Sequence, residues 1–300
     1  MKFYDYHDDT ARMLKRFGKG SNMARADIYN MVMNHPDSGT FAIRHAMWER
    51  DWIAAGRPYY DLYPSLIEPF AKLNLDIRPT TLQPPGGLRN LLVRFPEHAD
   101  NKTARTMFIS WQNTRWKGTS LDGQAVEPFI VVGGDFGERD DGGLMVASVY
   151  APPPDDSKTL QEWLDVMPYS DMTDGCNYTT LFQNDQQALF KLVRIACCLC
   201  LLNNNPDLIT PQVLNRDADK ARNATPEELE ALAARARANG RHGYSVGAAL
   251  EHVPHMRRLH LAIDHTGKGR TVPVIKMRKG SVVQRKKMTE VPTGFLGGDQ

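Results

Sequence analysis

A chain of 300 residues is long enough to bury one large or two modest cores, and 41% hydrophobic with 24% charged residues is ordinary for a soluble globular protein. The net charge of +2 hides a strong asymmetry: from Arg235 to Glu290 thirteen Lys and Arg stand against three acids, so the rest of the chain is acidic. Such segregation points to an anionic partner near the C-terminal end, or to a basic solubilising tail.

The beginning, "MKFYDYHDDTARMLKRFGKG", has no apolar core and no cleavage site, so no secretory signal is expected. The first 75 residues read as helices. "DDTARMLKRFGKG" has Asp8 or Asp9 as N-cap and stops at glycines, and "ARADIYNMVMNH" carries Ile28, Met31 and Val32 on one stripe. "GTFAIRHAMWERDWIAAG" spaces Phe41, His45, Trp48 and Trp52 at helical steps, a stripe that suits core packing better than ligand stacking. "YYDLYPSLIEPFAKLNL" continues the helical pattern, with Pro64 and Pro69 as breaks or first-turn residues.

The period then changes. "LRNLLVRFP", "RTMFISWQNTRW", "EPFIVVGGDF" and "LMVASVYAP" are short, rich in β-branched and aromatic residues, and bounded by Pro, Gly or Asp. "GGDFGERDDGG", Gly133 to Gly143, reads as a polar hairpin turn, since its acids lack the spacing of a calcium loop. Helices return after Ser157. Thr159 to Glu162 fits a capping box, and Asp185 to Leu202 reads as a buried helix, too short and too charged (Lys191, Arg194) to span a bilayer. Cys197, Cys198 and Cys200 fall inside it as small buried hydrophobes; with Cys176 they have neither disulfide nor zinc spacing, which points to a reducing cytosol. "TPQVLNRDADKARNA" reads as an exposed connector. "TPEELEALAARARANG" is a helix with Thr225 as N-cap, Pro226 in the first turn, Glu228 reaching back and Gly240 as stop.

The stretch "EHVPHMRRLHLAIDHTGKGRTVPVIKMRKG" carries four histidines and most of the cations. "HMRRLHLAI" alternates as a strand, with Leu259, Leu261 and Ile263 on one face and Arg258 and His260 on the other. "DHTGKG" is a glycine-rich turn and "RTVPVIKM" a returning strand, with Pro273 suggesting an edge. The product is a hairpin with an apolar face and a basic one. His252, His255 and His260, with His265 nearby, invite a metal, but the crowd of cations and the absence of an HExxH motif argue against it, and no metal or cofactor is expected. Metal-independent RNA cleavage needs a base, an acid and cations for the phosphorane. His255 and His260 are the candidate catalytic pair and contain that inventory, though not its geometry. Phosphate or RNA binding asks less, and Arg257, Arg258, Lys268, Arg270, Lys276 and Arg278 are its candidate residues. A fourth reading has "PHMRR" only pinning the hairpin.

These residues carry a resemblance. Pro254, His255, Arg257, Arg258 and His260, then Gly267 to Arg270 and Val274 to Val283, are similar to the terminal signature of the second type V-A anti-CRISPR family and its phage and plasmid relatives. The element order upstream agrees in outline. Leu259 and Leu261 depart from the pattern, which has Gly and Trp there. The resemblance implies an inhibitor of a bacterial CRISPR effector nuclease, working in the host cytoplasm. It would recognise the nascent effector polypeptide during translation and cause loss of the corresponding mRNA, with RNA (mRNA or ribosome-associated) as the second partner and no membrane partner. The alternatives are a metal-independent endoribonuclease and a phage nucleic-acid-binding protein with a basic arm. The expected fold class is α+β: a helical part at 1–75, a central mostly antiparallel sheet with a buried helix at 76–215, and a helix plus basic β-hairpin at 216–300, as one integrated unit or two domains.

Overall fold

The computed structural model describes residues 1–6, 48–78, 82, 84–97, 104–111, 118–119, 125–126, 130–138, 144–151, 157–166, 182–202, 205, 208–250, 260–266, 268–270 and 272–278. The helices expected at 8–20 and 24–35, with Phe41 and His45, lie outside them. The fold is α+β, as the change of period predicts. Its centre is a seven-stranded mixed sheet, in the order β7-β6-β3-β2-β1-β9-β8. These strands are β1 (Tyr59–Leu62), β2 (Asn90–Arg94), β3 (Thr106–Trp111), β6 (Ile130–Glu138), β7 (Leu144–Ala151), β8 (Ile209–Pro211) and β9 (Gly243–Val246). β4 (Gly118–Thr119) and β5 (Ala125–Val126) form a minor pair. β1 runs parallel to both β2 and β9, and the other pairings in the large sheet are antiparallel. Strands from all three sequence segments therefore lie in one sheet.

Alternation gives the sheet two unlike faces. On one, Leu62, Leu91, Val93, Met107, Ile109 and Val132 are fully or almost fully buried. They form one core with α2 (Pro64–Lys72), α3 (Leu160–Val166) and α4 (Phe182–Leu201). α4 is apolar along its later turns because it packs on β6, β7 and α2 at once. Its one buried cation, Arg194, donates to the Leu73 carbonyl and to Gln161 Oε1 at 3.0 Å, tying α4 to the ends of α2 and α3. Cys197, Cys198 and Cys200 are free and fully enclosed, and burial pushes the Cys197 thiol up to about 12. They behave as the small hydrophobes their setting predicts.

The other face is covered in part by a helix, α1, described over 48–54. Trp48 and Trp52 stack at 5.5 Å and pack with Phe108 and Leu92. Each indole finds a carbonyl: Trp52 Nε1 donates to Pro58 O at 2.8 Å and Trp48 Nε1 to Ile109 O at 3.4 Å. The described part of the aromatic stripe, Trp48 and Trp52, is core, as its helical spacing suggested.

Three readings need correction. Tyr59–Leu62 is a strand, not the start of a helix. Tyr59 and Asp61 alternate with Tyr60 and Leu62, partners on both sides satisfy the backbone, and the helix begins only with Pro64 in its first turn. The segment from Gly133 is not a turn, because β6 continues to Glu138 with a register shift between Asp135 and Glu138, leaving 139–143 between β6 and β7. Gly133 is there for packing. A Cβ on it would lie 1.9 Å from the Phe108 ring, so the strand can cross the aromatic cluster only without a side chain. Gly133→Ala should cost about 2–3 kcal/mol by overpacking, measurable as a shift of the denaturation midpoint. Third, 210–224 is no simple connector: it holds β8, a 3₁₀ turn (Asn215–Asp217) and α5 (Ala218–Ala221). Asp217 is buried there beside Arg235 at 3.3 Å, which fastens this stretch to α6 (Pro226–Ala238).

Both predicted capping boxes are present. Thr159 and Glu162 exchange backbone-to-side-chain hydrogen bonds at the start of α3, as Thr225 and Glu228 do at α6. The bonds to Thr159 hold the Glu162 carboxyl below the usual carboxylate range. Among the described residues no helix is long and apolar enough to cross a membrane.

Candidate nucleic-acid interface

The C-terminal residues form the expected antiparallel hairpin, β10 (His260–Thr266) and β11 (Val272–Arg278), in unbroken register from His260↔Arg278 to Thr266↔Val272. It is a separate two-stranded sheet whose strands have no other strand partner among the described residues. Its apolar residues dock it. Ile275 is fully buried, Leu261 and Ile263 pack against the main core, and β11 lies on α4. Asn205 Nδ2 adds a 3.4 Å bond to the Ile275 carbonyl. Pro273 sits opposite His265 and is tolerated in β11 because the sheet has only edge strands.

The structure reaches part of the predicted site. His255, Arg257 and Arg258 lie outside the described residues. His260 opens β10 and pairs in register with Arg278, which places one imidazole-bearing and one guanidinium-bearing position directly across the hairpin. Lys268 and Arg270 occupy the turn and are exposed. Neither makes an ion pair among the described residues. Arg270 holds a left-handed φ of 52° next to Gly269 at 77°. For a residue with a Cβ that conformation costs about 1–2 kcal/mol, which glycine would avoid. Lys276 differs from the free cation the sequence suggests: its ammonium lies 3.7 Å from Asp264 Oδ2, with both side chains partly exposed. From His260 to Arg278, four Lys/Arg face this single acid.

Two depressions meet along β10. One, about 730 Å³, is lined by Ile263, Asp264, His265, Arg270 and Lys276. The other, about 820 Å³, runs between β10 and the end of α2, with Glu68, Lys72 and Asp76 on the helix side. Glu68 is occupied by Lys72 at 2.7 Å and Lys191 at 3.7 Å, and the hydrogen bond from Lys72 holds its carboxyl below the ordinary range. His265 and Ile263 belong to both depressions. Spacing assigns His265 no role beyond proximity; in the hairpin it pairs with Pro273 and shares the face of Leu261 and Ile263, opposite to that of Asp264 and Lys276. No cluster of three His, Cys, Asp or Glu suited to a metal ion occurs among the described residues.

A second polar constellation was not foreseen. Thr210, Ser245, Asp61, Arg94, Thr106 and Asp135 form one transverse row across β8, β9, β1, β2, β3 and β6. Arg94 grips Asp61 through both oxygens, Nε to Oδ1 at 2.7 Å and Nη2 to Oδ2 at 3.1 Å, and its Nη1 meets Asp5 at 3.1 Å. Gln212 donates to Asp61 and accepts from the Tyr59 hydroxyl at 2.8 Å, while Arg94 lies 4.2 Å above the Tyr59 ring. Gly243 makes room for that ring, since a Cβ would come within 2.3 Å of it. Burial opposes the charge on Arg94, but Asp61 outweighs it and the guanidinium pKa is raised. Asp61, Arg94, Gln212 and Tyr59 all bond to one another or to Asp5, and the chemistry of such a closed set is that of a structural clamp.

No protein-family model, curated protein or solved structure matches the chain.

Proposed function

We propose that the chain binds RNA through its C-terminal hairpin. In this reading it is a mobile-element-encoded inhibitor that recognises the nascent polypeptide of a CRISPR effector nuclease in the bacterial cytoplasm and brings about loss of its message. The observation that carries RNA binding is the exposed Lys268 and Arg270 in the turn of a hairpin docked by its apolar residues on the core. Cations held on a fixed support grip phosphates without first ordering a loose arm, which lowers the entropic cost of binding. The target and the translational timing rest on the resemblance of Pro254 to Val283 to the anti-CRISPR signature.

Tagged protein captured from translating cells, with its bound RNA and nascent chains sequenced, tests the reading. One effector message and its N-terminal peptide should be enriched together, and an Arg257→Ala/Arg258→Ala variant that stays folded should lose both enrichment and silencing. Uniform RNA recovery, or full silencing by that variant, would contradict it. Incubating purified protein with the recovered message in EDTA separates intrinsic cleavage, lost in His255→Ala, from recruitment of a host nuclease.

A further inference from the structure

We infer that the free edge of β10 is a docking site for an extended peptide, which adds to the hairpin as a further strand in the groove beside α2. The inference goes beyond RNA binding and stands on different observations. Which main-chain groups face the groove follows from the register. In an antiparallel pair, opposed residues alternate between those that exchange both hydrogen bonds and those whose N–H and C=O point outward. Pro273 has no N–H to exchange, so its pair with His265 is of the outward kind. Side-chain bonds agree: Asn205 reaches the Ile275 carbonyl from outside the hairpin, and the Thr266 hydroxyl donates to the Val272 carbonyl across it. Ile263↔Ile275 and Leu261↔Met277 are outward pairs by the same alternation. Leu261, Ile263 and His265 therefore turn their N–H and C=O away from β11, and among the described residues no other strand takes them.

The groove of about 820 Å³ lies along this edge. Leu261, Ala262, Ile263 and His265 line it together, although alternation puts Ala262 on the opposite face of β10 from the other three. A depression lined from both faces follows the strand's edge. Pro69 and Leu73, with the exposed Asn74 and Asp76, form the far wall at the end of α2. Along the edge N–H and C=O follow in turn, and another extended backbone satisfies both. A phosphate accepts from the N–H groups but leaves each carbonyl without a donor, so RNA does not fit here.

The walls set the partner's chemistry. Half-buried Leu261 and Ile263, with Pro69 and Leu73 across the groove, favour apolar side chains on the face of the new strand turned to the core. Glu68 is neutralised by Lys72 and Lys191, whereas Asp76 has no ion pair among the described residues. The helix side of the groove thus keeps one uncompensated acid. The matching peptide has apolar residues at alternate positions and a Lys or Arg that reaches Asp76. A second copy of the chain fits less well, because its edge is recessed beside its own α2 and the two helices would hold the strands apart.

The test selects short peptides from a displayed random library against the full chain. Selected sequences should alternate apolar residues and carry a Lys or Arg, and Asp76→Asn should weaken them about threefold. Amide hydrogen exchange reads the site: in the free chain Leu261, Ile263 and His265 should exchange fast and Ala262 and Asp264 slowly, and a selected peptide should slow the first three. His265→Pro removes one outward N–H yet keeps every bond to β11. The hairpin should persist and peptide binding fall about tenfold, while His265→Ala should bind like the wild type. A library without binders, or undiminished binding by His265→Pro, would overturn the surface. So would slow exchange of the three amides in the free chain, which at a dimer's mass would assign the edge to a second copy. If the effector's N-terminal peptide is enriched from cells but leaves these amides unprotected, the surface fails and the recognition proposed above stands. If selected peptides protect them and that enrichment is absent, the surface stands and that recognition fails.

Discussion

Replacing Asp61 by alanine should destabilise the fold by about 3–5 kcal/mol, seen as a lower denaturation midpoint at an unchanged m-value. The carboxylate is buried in the middle of the sheet and accepts three hydrogen bonds from two residues. It takes both forks of Arg94 and a bond from Gln212, and through them it fixes Tyr59 over Gly243. Removing it leaves a largely buried guanidinium facing only Asp5, whose side chain is 85% exposed and correspondingly weak as a counter-ion. A double variant, Asp61→Ala with Arg94→Met, should lose less than the two single losses combined, because the orphaned charge is gone. A single-variant loss below about 1 kcal/mol would mean that the clamp is dispensable.

The other large effect is expected at the hairpin. Lys268→Ala/Arg270→Ala/Lys276→Ala should bind single-stranded RNA about 10- to 100-fold more weakly than the wild type at low salt. The fold should be kept, because none of the three side chains belongs to the buried core and the docking contacts come from Leu261, Ile263 and Ile275. Lys276 should contribute least, since freeing it from Asp264 costs part of what a phosphate returns.

What the sequence revealed and what it hid follow from the range of the interactions involved. β2, β3, β6 and β7 were legible because each is an apolar, β-branched run bounded by Pro, Gly or charge, and each antiparallel neighbour pairs with a short segment of similar pattern. The capping boxes and the Trp48/Trp52 stripe were legible for the same local reason. β1 was not. Four residues ahead of a proline-initiated helix carry little periodicity, and what makes them a strand is parallel pairing with β9, far along the chain. β9 itself, Gly243–Val246, gave no signal because its first residue is chosen for the Tyr59 ring packed against it. Asp61, Arg94 and Gln212 looked like scattered surface polars because they come together only in the assembled sheet.

The site divides in the same way. The alternation of "HMRRLHLAI" and "RTVPVIKM" announced the hairpin and its apolar residues, although Asp264–Thr266, read as the start of the turn, continue β10 because they still pair with Val272–Val274; Lys268, Arg270 and Lys276 fell where a basic surface was expected. The pairing of Lys276 with Asp264 and the exposure of Arg270 in the turn were not visible in spacing. They depend on a diagonal across two strands and on a left-handed turn residue.

The central claim is that the hairpin binds RNA by its phosphates, and the salt dependence of binding tests it most directly. The logarithm of the affinity for a single-stranded RNA, plotted against the logarithm of salt concentration, should fall linearly for the wild type. For Lys268→Ala/Arg270→Ala/Lys276→Ala the slope should be shallower by about 2, from about 0.7 per phosphate contact removed. An RNA affinity that does not change with salt, or the same slope in both proteins, would contradict the account.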